Sequence, residues 1–545
     1  MSISMISRPK SRDPEPVSNS HFTGTLHFVR LYLRRDRIAL PLWILIFASA
    51  PALYVASIAG IYTSPEQLAA FAATTAASPA EIAMYGPIFN ASLGSVGVWK
   101  AGIYSTLIAV AAILTVIRHT RAEEENGRTE LLDSTSVGRY SSLTAALVLA
   151  GGASVVTGIL CTASLLTQNL PVAGSVAFGA ALAGSGLVFS AAAAVAAQLT
   201  PSARVARGIA MSVLGAAFAL RAIGDAGSGT LSWFSPLGWS LQIRAYADER
   251  WWVLIPTLLT AAVLTWVAYA LLRRRDVGGG LIAEREGPAV ASSSLAGTLA
   301  LALRMQRGTL AAWTIGLGLY GLLIGSAATS VGGQIGDSQA IRDIITRMGG
   351  SQSLEKSFIG YAFIMLGIAA AAYSVSAALR LHSEETAQRV EPVTAGAVGR
   401  IRWASSHIVF ALLGPASALL VAGLTAGGTY GIANGDIGST LPSVLGAALV
   451  QLPAVWVLTG VTVFLFGVVP RFTPVVWGVL VAFLFIFLVG SLARLPQWVL
   501  DLEPFTHAPR LPGAPFELMP LVWLTLIAAA LTATGLFAFR RRDLR

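Results

Sequence analysis

The chain has 545 residues, of which 55% are hydrophobic and only 12% are charged, and its mean hydropathy is +0.69. This composition lies far outside that of soluble domains and predicts an integral membrane protein. The single cysteine, Cys161, excludes an intramolecular disulfide and a cysteine metal cluster.

Long uncharged stretches follow one another along the chain. Crossing about 30 Å of hydrocarbon takes roughly 20 apolar residues in a helix. Eleven stretches free of Asp, Glu, Lys and Arg have about this length: 38–65, 101–117, 140–170, 170–200, 251–272, 308–336, 357–379, 403–435, 437–470, 472–493 and 518–539. A twelfth, weaker candidate runs from Gly208 to Leu220. Since the stretches are uniformly apolar, they do not fit the short alternating strands of a membrane barrel. The predicted fold is all-α, with about 12 transmembrane helices.

Basic residues concentrate in alternate loops of this topology. Residues 1–40 contain seven Lys and Arg residues. Together with the loops predicted on the same side of the membrane, they contain 28 of the 37 Lys and Arg residues of the chain. Because basic loops are retained in the cytoplasm, both termini are predicted to be cytoplasmic. This distribution accounts for the net charge of +10 without nucleic-acid binding, for which no soluble basic domain remains. Residues 1–23 are expected to form a disordered cytoplasmic tail.

A charged stretch recurs in the two halves of the chain. EEENGRTELLDSTSVGR, Glu123–Arg139, aligns with EETAQRVEPVTAGAVGR, Glu384–Arg400, after a shift of 261 residues. Seven of the seventeen positions are identical, whereas ordinary residue frequencies would give about one. SPLGW, which begins at Ser235, occupies the position in the first half that EPFTHAP, which begins at Glu503, occupies in the second. The sequence RRRD stands at the end of both halves. We therefore expect two six-helix halves, 24–280 and 281–545, in the same orientation and related by a pseudo-twofold axis along the membrane normal.

The repeated charged stretch follows the second helix of each half. Glu124 and Arg128 are four residues apart, so we expect a short helix with an intrahelical ion pair. In the second copy Pro392 is expected to interrupt the helix earlier, and Gln388 replaces Gly127. A solvated loop would explain one such charged stretch. Solubility alone does not require the same charged residues at the same positions in both copies. Paired charged helices suit docking to a twofold-symmetric soluble partner.

The order of these motifs resembles a known family. The charged stretches ending in SVGR and AVGR, together with LSWFSPLGW, LPQWVLDLEPFTHAPRLPG and RRRDL, are similar to ABC-2-type permeases of the polyketide-antibiotic (tetronasin-like) exporter family. The resemblance covers the chain beyond its tail. It implies a multidrug or antibiotic exporter of the cell membrane, in which two fused halves sit on two copies of a separate ATPase that binds ATP and Mg²⁺.

The resemblance also implies residue roles. The charged stretches would couple the permease to the ATPase through ten residues: Glu123, Glu124, Arg128, Glu130, Arg139, Glu384, Glu385, Arg389, Glu391 and Arg400. The departures at Pro392 and Gln388 leave open whether the two sites couple equally. The second and fifth helices of each half would flank the substrate path, at 101–118, 208–224, 357–379 and 472–493.

The residues themselves support a separate motor. A phosphate-binding P-loop needs GxxxxGK[ST], in which glycines let backbone N–H groups wrap the phosphates. The lysines of this chain are Lys10, Lys100 and Lys356, and none follows a glycine. The six histidines contain no HExxH motif and no pair four residues apart. We therefore expect no catalytic residue, no metal site and no cofactor in this chain.

The predicted spans contain few ionisable groups. Arg221 and Asp225, near the outer end of the weak fifth span, are expected to pair at the membrane interface, with an outer gate or a substrate contact as the alternative. Trp239 and Phe505 lie in Pro- and Trp-containing stretches that are expected to cap the outer face, and both are further gate candidates. His407 is expected to be an interfacial side chain.

The resulting interpretation is an ATP-driven export permease. Uncharged, aromatic-containing helices favour a hydrophobic or amphiphilic substrate over a sugar or an amino acid. A secondary transporter is the alternative, and it would need an ion site among Arg221, Asp225 and His407, because ion-coupled transporters usually keep such groups near the midplane. A membrane scaffold that recruits cytoplasmic proteins through the charged loops is a third interpretation.

Overall fold

The computed structural model describes residues 21–542, except for 77–78, 129–136, 277, 283–288, 291, 293–294, 296, 335–353, 397 and 490–495. Every regular element among these residues is a helix and none is a strand, so the all-α prediction is confirmed. The chain divides into two compact units, residues 1–286 and 287–545. The tail predicted for residues 1–23 falls almost entirely outside the described residues.

The first unit is built from long apolar helices joined by short ones. Its helices are α1 (Thr25–Arg35), α2 (Ala39–Ile61), α3 (Pro65–Ala76), α4 (Pro79–Tyr85), α5 (Leu93–Trp99), α6 (Tyr104–His119), α7 (Arg121–Glu125), α8 (Ser141–Leu166), α9 (Val172–Leu199), α10 (Ala203–Ala226), α11 (Pro236–Gln242) and α12 (Leu254–Arg274). Short 3-10 segments lie at Lys100–Ile103, Leu231–Phe234 and Trp251–Val253. The most buried of the spans in this unit is α9, which packs against α6, α8, α10 and α12.

The second unit repeats this pattern of long helices. Its helices are α13 (Thr298–Gln334), α14 (Leu354–Thr386), α15 (Val390–Thr394), α16 (Arg400–Asn434), α17 (Ile437–Leu449), α18 (Leu452–Val468), α19 (Val476–Val489), α20 (Gln497–Leu500) and α21 (Leu518–Arg541). The 3-10 segments lie at Pro470–Val475 and Pro504–His507. The span formed by α14 is the most buried of this unit and packs against α13, α16 and α18.

Eleven helical stretches among the described residues are long and apolar enough to cross a membrane, so the chain is a multi-pass membrane protein. Ten overlap predicted stretches, and the weak fifth candidate forms the eleventh, Ala203–Ala226. This span is longer than its uncharged segment because it continues past Arg207 and Arg221. The prediction of a span at 472–493 is met only by a shorter apolar helix, Pro470–Leu484.

Glycines allow close helix packing in both units. A Cβ atom on Gly158 of α8 or on Gly179 of α9 would overlap the carbonyl oxygen of the other glycine. A Cβ on Gly467 of α18 would likewise overlap the carbonyl oxygen of Gly535 on α21. Small residues let helix backbones approach one another in a membrane, where dispersion rather than the hydrophobic effect favours association. These contacts hold α8 close to α9 in the first unit and α18 close to α21 in the second.

Candidate coupling site

In the first unit the charged stretch begins on α7, directly after the second span. The helix ends at Glu125, and Gly127 has a φ of +68°, in the left-handed region. The prediction of an ion pair between Glu124 and Arg128 is wrong because the two residues do not share a continuous helix. Arg128 Nη1 instead lies 3.4 Å from Oε1 of Glu123.

The second copy makes the same turn by a different route. The long helix α14 runs through Glu384 and Glu385 to Thr386, and Gln388, which aligns with Gly127, has a φ of +55°. The helix therefore breaks before Pro392, and the expectation that Pro392 interrupts it is wrong. Pro392 lies in the first turn of α15, where its missing N–H removes no intrahelical hydrogen bond.

A buried ion-pair cluster joins the stretch to the end of the last helix of the first unit. Glu124 accepts from Arg275 at 2.6 Å (Oε1) and 2.8 Å (Oε2), and from Arg121 at 2.7 Å. Arg139 donates to the carbonyl oxygens of Leu272, at 2.9 Å, and Arg275, at 2.7 Å. Arg139 thus satisfies carbonyls that the end of α12 leaves without intrahelical donors. We call Glu124, Arg139 and Arg275 the first clasp.

The second unit contains the same arrangement. Arg542, directly after α21, donates to Oε2 of Glu385 at 2.5 Å, and Arg400 donates to the carbonyl oxygen of Arg542 at 2.8 Å. The Arg542 guanidinium also lies over the rings of Phe466 and Phe539, at 4.9 Å and 5.3 Å. A guanidinium over an aromatic face gains cation–π attraction. Glu385, Arg400 and Arg542 form the second clasp.

A second, looser ion pair is also duplicated. Oε1 of Glu123 lies 3.4 Å from Arg128, and Oε1 of Glu384 lies 3.5 Å from the aligned Arg389. The other carboxylate oxygen of Glu123 pairs with Arg35 of α1 at 2.7 Å. The duplicated identities therefore correspond to duplicated contacts in two independent units.

Burial separates the clasps from the outward-facing charges. The side chains of Glu124 and Glu385 are 13% and 6% exposed, whereas those of Arg128 and Arg389 are 55% and 66% exposed. Glu391 is exposed on α15. Glu130, the remaining candidate, lies outside the described residues. The clasp carboxylates already have arginine partners, so the surface that remains for a partner protein carries Arg128, Arg389 and Glu391.

Sequence reasoning missed the distant partners of these carboxylates. Arg275 and Arg542 are the third arginines of the two RRRD motifs, which the sequence marks as a repeat but not as partners of Glu124 and Glu385. The signal was present, because the motif is duplicated together with the carboxylates. Arg121 is the other missed partner, and it is almost completely buried.

The predicted outer pair is buried inside the first unit, and its position at the membrane interface stays a prediction. Arg221 and Asp225 approach to 3.7 Å within α10, with side chains 3% and 1% exposed. Arg221 donates to the carbonyl oxygen of Met84 on α4 at 3.0 Å, and Ser232 donates to Asp225 at 2.5 Å. The pair thus connects the end of α10 to α4 and to the following 3-10 segment.

The two other gate candidates follow matching N-caps. The side chain of Ser235 accepts hydrogen bonds from two backbone N–H groups at the start of α11, and Glu503 does the same for the segment Pro504–His507. Trp239 donates from its indole to the carbonyl oxygen of Trp233 at 2.7 Å. Phe505 is completely buried. Both gate candidates therefore belong to packed caps.

His407 is also buried, and its predicted position at the membrane interface stays a prediction. It lies on α16, with Nδ1 3.4 Å from Nε2 of Gln306 and its ring 5.4 Å from that of Trp403. Among the described residues, no group of three or more His, Cys, Asp or Glu side chains could hold a metal ion.

Comparison with known proteins gives two matches. A family model described as "Multidrug efflux system permease Rv1217c, C-terminal domain" matches residues 295–540. The multidrug efflux system permease protein Rv1217c of Mycobacterium tuberculosis (strain ATCC 25618 / H37Rv) is 59% identical over 531 residues, which cover 97% of this chain and 97% of that protein. A match of this length includes residues of both units. The chain therefore belongs to the family of the multidrug efflux permease Rv1217c.

Proposed function

We propose that the chain is the membrane permease subunit of an ATP-driven exporter, which moves hydrophobic or amphiphilic compounds out of the cell. The observation that carries this proposal is the 59% identity to a multidrug efflux permease along almost the whole chain. The eleven apolar spans supply the membrane pathway that such a subunit needs. The narrower assignment to polyketide-antibiotic (tetronasin-like) exporters belongs to the proposal and rests on the order of the sequence motifs.

The proposed motor is a separate ATPase. Two copies of it would bind one permease chain, and each copy would hold ATP and Mg²⁺. The duplicated clasps support this stoichiometry, because each unit presents one charged stretch with the same internal contacts. The exposed Arg128 and Arg389 are the proposed contacts to the ATPase, and Glu391 is a third. The basic loops support a cytoplasmic position for these stretches and for both termini.

The clasps suggest how motion would be transmitted. Each clasp carboxylate joins the charged stretch to the end of the last helix of its unit. Glu124 makes a bidentate contact with Arg275, and Glu385 makes a single contact with Arg542. Displacement of the stretch would therefore also move α12 or α21, instead of being absorbed by a free loop. The stretch also continues directly from the second span. In the first unit this span packs against the fifth, α6 on α10, and in the second unit α14 packs against the shorter apolar helix α19. These helix pairs are the proposed borders of the substrate path.

Transport energetics test this proposal against a secondary transporter. Inside-out vesicles that contain the full chain and its host ATPase would be supplied with a fluorescent amphiphilic dye. We expect dye uptake that needs hydrolysable ATP and persists when a protonophore removes the proton gradient. Uptake that an imposed proton gradient drives without ATP would contradict the proposal and would make the buried Arg221–Asp225 pair the first candidate ion site.

A further inference from the structure

A groove on the first unit is lined mainly by apolar side chains. It has a volume of about 470 Å³ and lies between α8, α9 and α12. Gly151, Leu187, Ala262 and Trp266 are among the residues that line it. Trp266 is 66% exposed. Pockets of roughly 300–1,000 Å³ with apolar walls are typical of small-molecule sites.

One end of the groove is polar and aromatic. Tyr269, which lines the groove, shares a hydrogen bond of 2.7 Å with the hydroxyl of Thr144. The ring of Tyr140 lies 5.5 Å from that of Tyr269 and 5.5 Å from that of Phe22. Tyrosines favour the membrane–water interface because they combine an apolar ring with a polar tip. The aromatic and polar side chains at this end fit the environment of lipid headgroups.

An arginine stands directly beyond this aromatic end. Ala262, Trp266, Tyr269 and Arg273 are spaced by four, three and four residues, so they share one face of α12. Arg273 is exposed, whereas Arg274, also exposed, points about 100° away around the helix. Arginines next to a membrane attract anionic headgroups.

We propose that this groove binds an anionic phospholipid, with one acyl chain between α8, α9 and α12 and the phosphate at Arg273. Charge complementarity selects the headgroup, because Arg273 places an exposed cation on the same face of α12 as Tyr269, which lines the groove. The buried carboxylate of Glu124 is neutralised by Arg275. The basic end of α12 also selects the leaflet, which is the cytoplasmic one in the topology proposed above.

Native mass spectrometry of the full chain in mild detergent tests the headgroup site. The probes are phosphatidylglycerol and phosphatidylcholine with identical acyl chains. We expect one phosphatidylglycerol to bind at least fivefold more tightly than phosphatidylcholine. Arg273→Gln should abolish this preference, whereas the neighbouring Arg274→Gln should retain it. Equal binding of the two lipids, or equal effects of the two substitutions, would overturn the proposal.

A second pair of variants tests the chain site. Ala262→Phe should fill the groove and reduce phosphatidylglycerol binding at least fivefold. Val263→Phe is the matched control, because Val263 is exposed on the same helix but does not line the groove. Equal binding by these two variants would show that the lipid does not occupy the groove. Melting temperatures establish whether each variant is folded. If Ala262→Phe is not folded, the comparison of Arg273→Gln with Arg274→Gln decides the question.

Discussion

Gln388 adopts a left-handed backbone conformation at the position that Gly127 occupies in the first unit. Their φ angles are +55° and +68°. A residue with a Cβ atom pays about 1–2 kcal/mol for this conformation, whereas glycine does not. The second unit nevertheless retains the turn, because it places Arg389 beside Glu384 in the same way as Arg128 beside Glu123. Backbone geometry at this turn is therefore common to both copies even though the residue is not.

Replacing Gln388 by glycine should stabilise the protein. Relief of the strain exceeds the extra entropy that glycine gives the unfolded chain, so we expect a gain of about 0.5–1 kcal/mol. Thermal unfolding in detergent measures the change. Gln388→Ala is the control, since it removes the side chain but keeps the Cβ atom, and it should give no such gain. Equal stabilisation by both variants would show that the side chain, not the backbone, causes the strain.

Glu503 should make stability depend on pH. Burial raises the pKa of this carboxyl to about 7, although the N–H groups of Phe505 and Thr506 lower it. Between pH 4.5 and about 7 the Glu503 carboxyl is therefore protonated in the folded protein and ionised in the unfolded chain. The stabilising contribution is present at acidic pH and is lost as the pH rises from about 4.5 through 7.

Glu503→Gln should remove this part of the pH dependence. Melting temperatures in detergent between pH 4.5 and 8 should fall less steeply for the variant than for the parent. Glu517→Gln provides a control on an exposed carboxylate of the same region. Parallel profiles for the parent and Glu503→Gln would contradict a protonated cap.

At the scale of helices, the clasps show where local sequence rules stop being informative. The rule that residues four apart pair on a helix selects Glu124 and Arg128, but α7 ends before Arg128. The actual partner, Arg275, lies 151 residues away in the sequence. Sequence alone identified the carboxylates and Arg139 through their repetition. It did not identify the pairing, because that depends on where the last helix of the unit ends.

Arg275→Met should destabilise the first unit strongly. The substitution removes two charge-assisted hydrogen bonds to Glu124 and one to Gln198, although Arg121 still pairs with Glu124, so we expect a loss of about 1.5–3 kcal/mol. Arg274→Met, on the exposed neighbour, should change stability by less than about 0.5 kcal/mol. Unfolding in detergent measures both.

A double variant shows whether Glu124 is the cause. Glu124→Gln combined with Arg275→Met should lose less stability than the sum of the two single losses, by about 1–3 kcal/mol. Additive losses would mean that Arg275 acts through other contacts, of which the 2.7 Å bond to the side chain of Gln198 is the first candidate.

For the whole molecule, the membrane itself explains why the spans are predictable. Because hydrocarbon offers no hydrogen-bond partners, spanning segments must be long apolar helices, and composition reveals them. Ala203–Ala226 was only a weak candidate because Arg207 and Arg221 shorten its uncharged part. The structure accommodates both, since Arg207 is exposed near the helix start and Arg221 is paired with Asp225.

The exposed arginines of the two stretches should control ATPase binding. Arg128→Glu combined with Arg389→Glu should weaken association with the ATPase at least tenfold, because charge reversal creates repulsion at both proposed docking sites. The side chains of Arg128 and Arg389 are largely exposed to solvent, and exposed ion pairs stabilise a protein little. The free energy of unfolding should therefore change little. Association is measured by pull-down from detergent.

The matched control reverses one exposed arginine in each unit outside the stretches, Arg207→Glu with Arg471→Glu. It should retain the ATPase. Equal loss of the ATPase in both double variants would assign docking to overall charge instead of the repeated stretches.

The most direct test of the central claim is to purify the tagged full chain from its host in mild detergent and to identify and count its subunits by mass. An ATP-driven permease predicts two copies of a P-loop ATPase for each chain. A chain that purifies alone and transports in liposomes under an ion gradient would contradict the proposal.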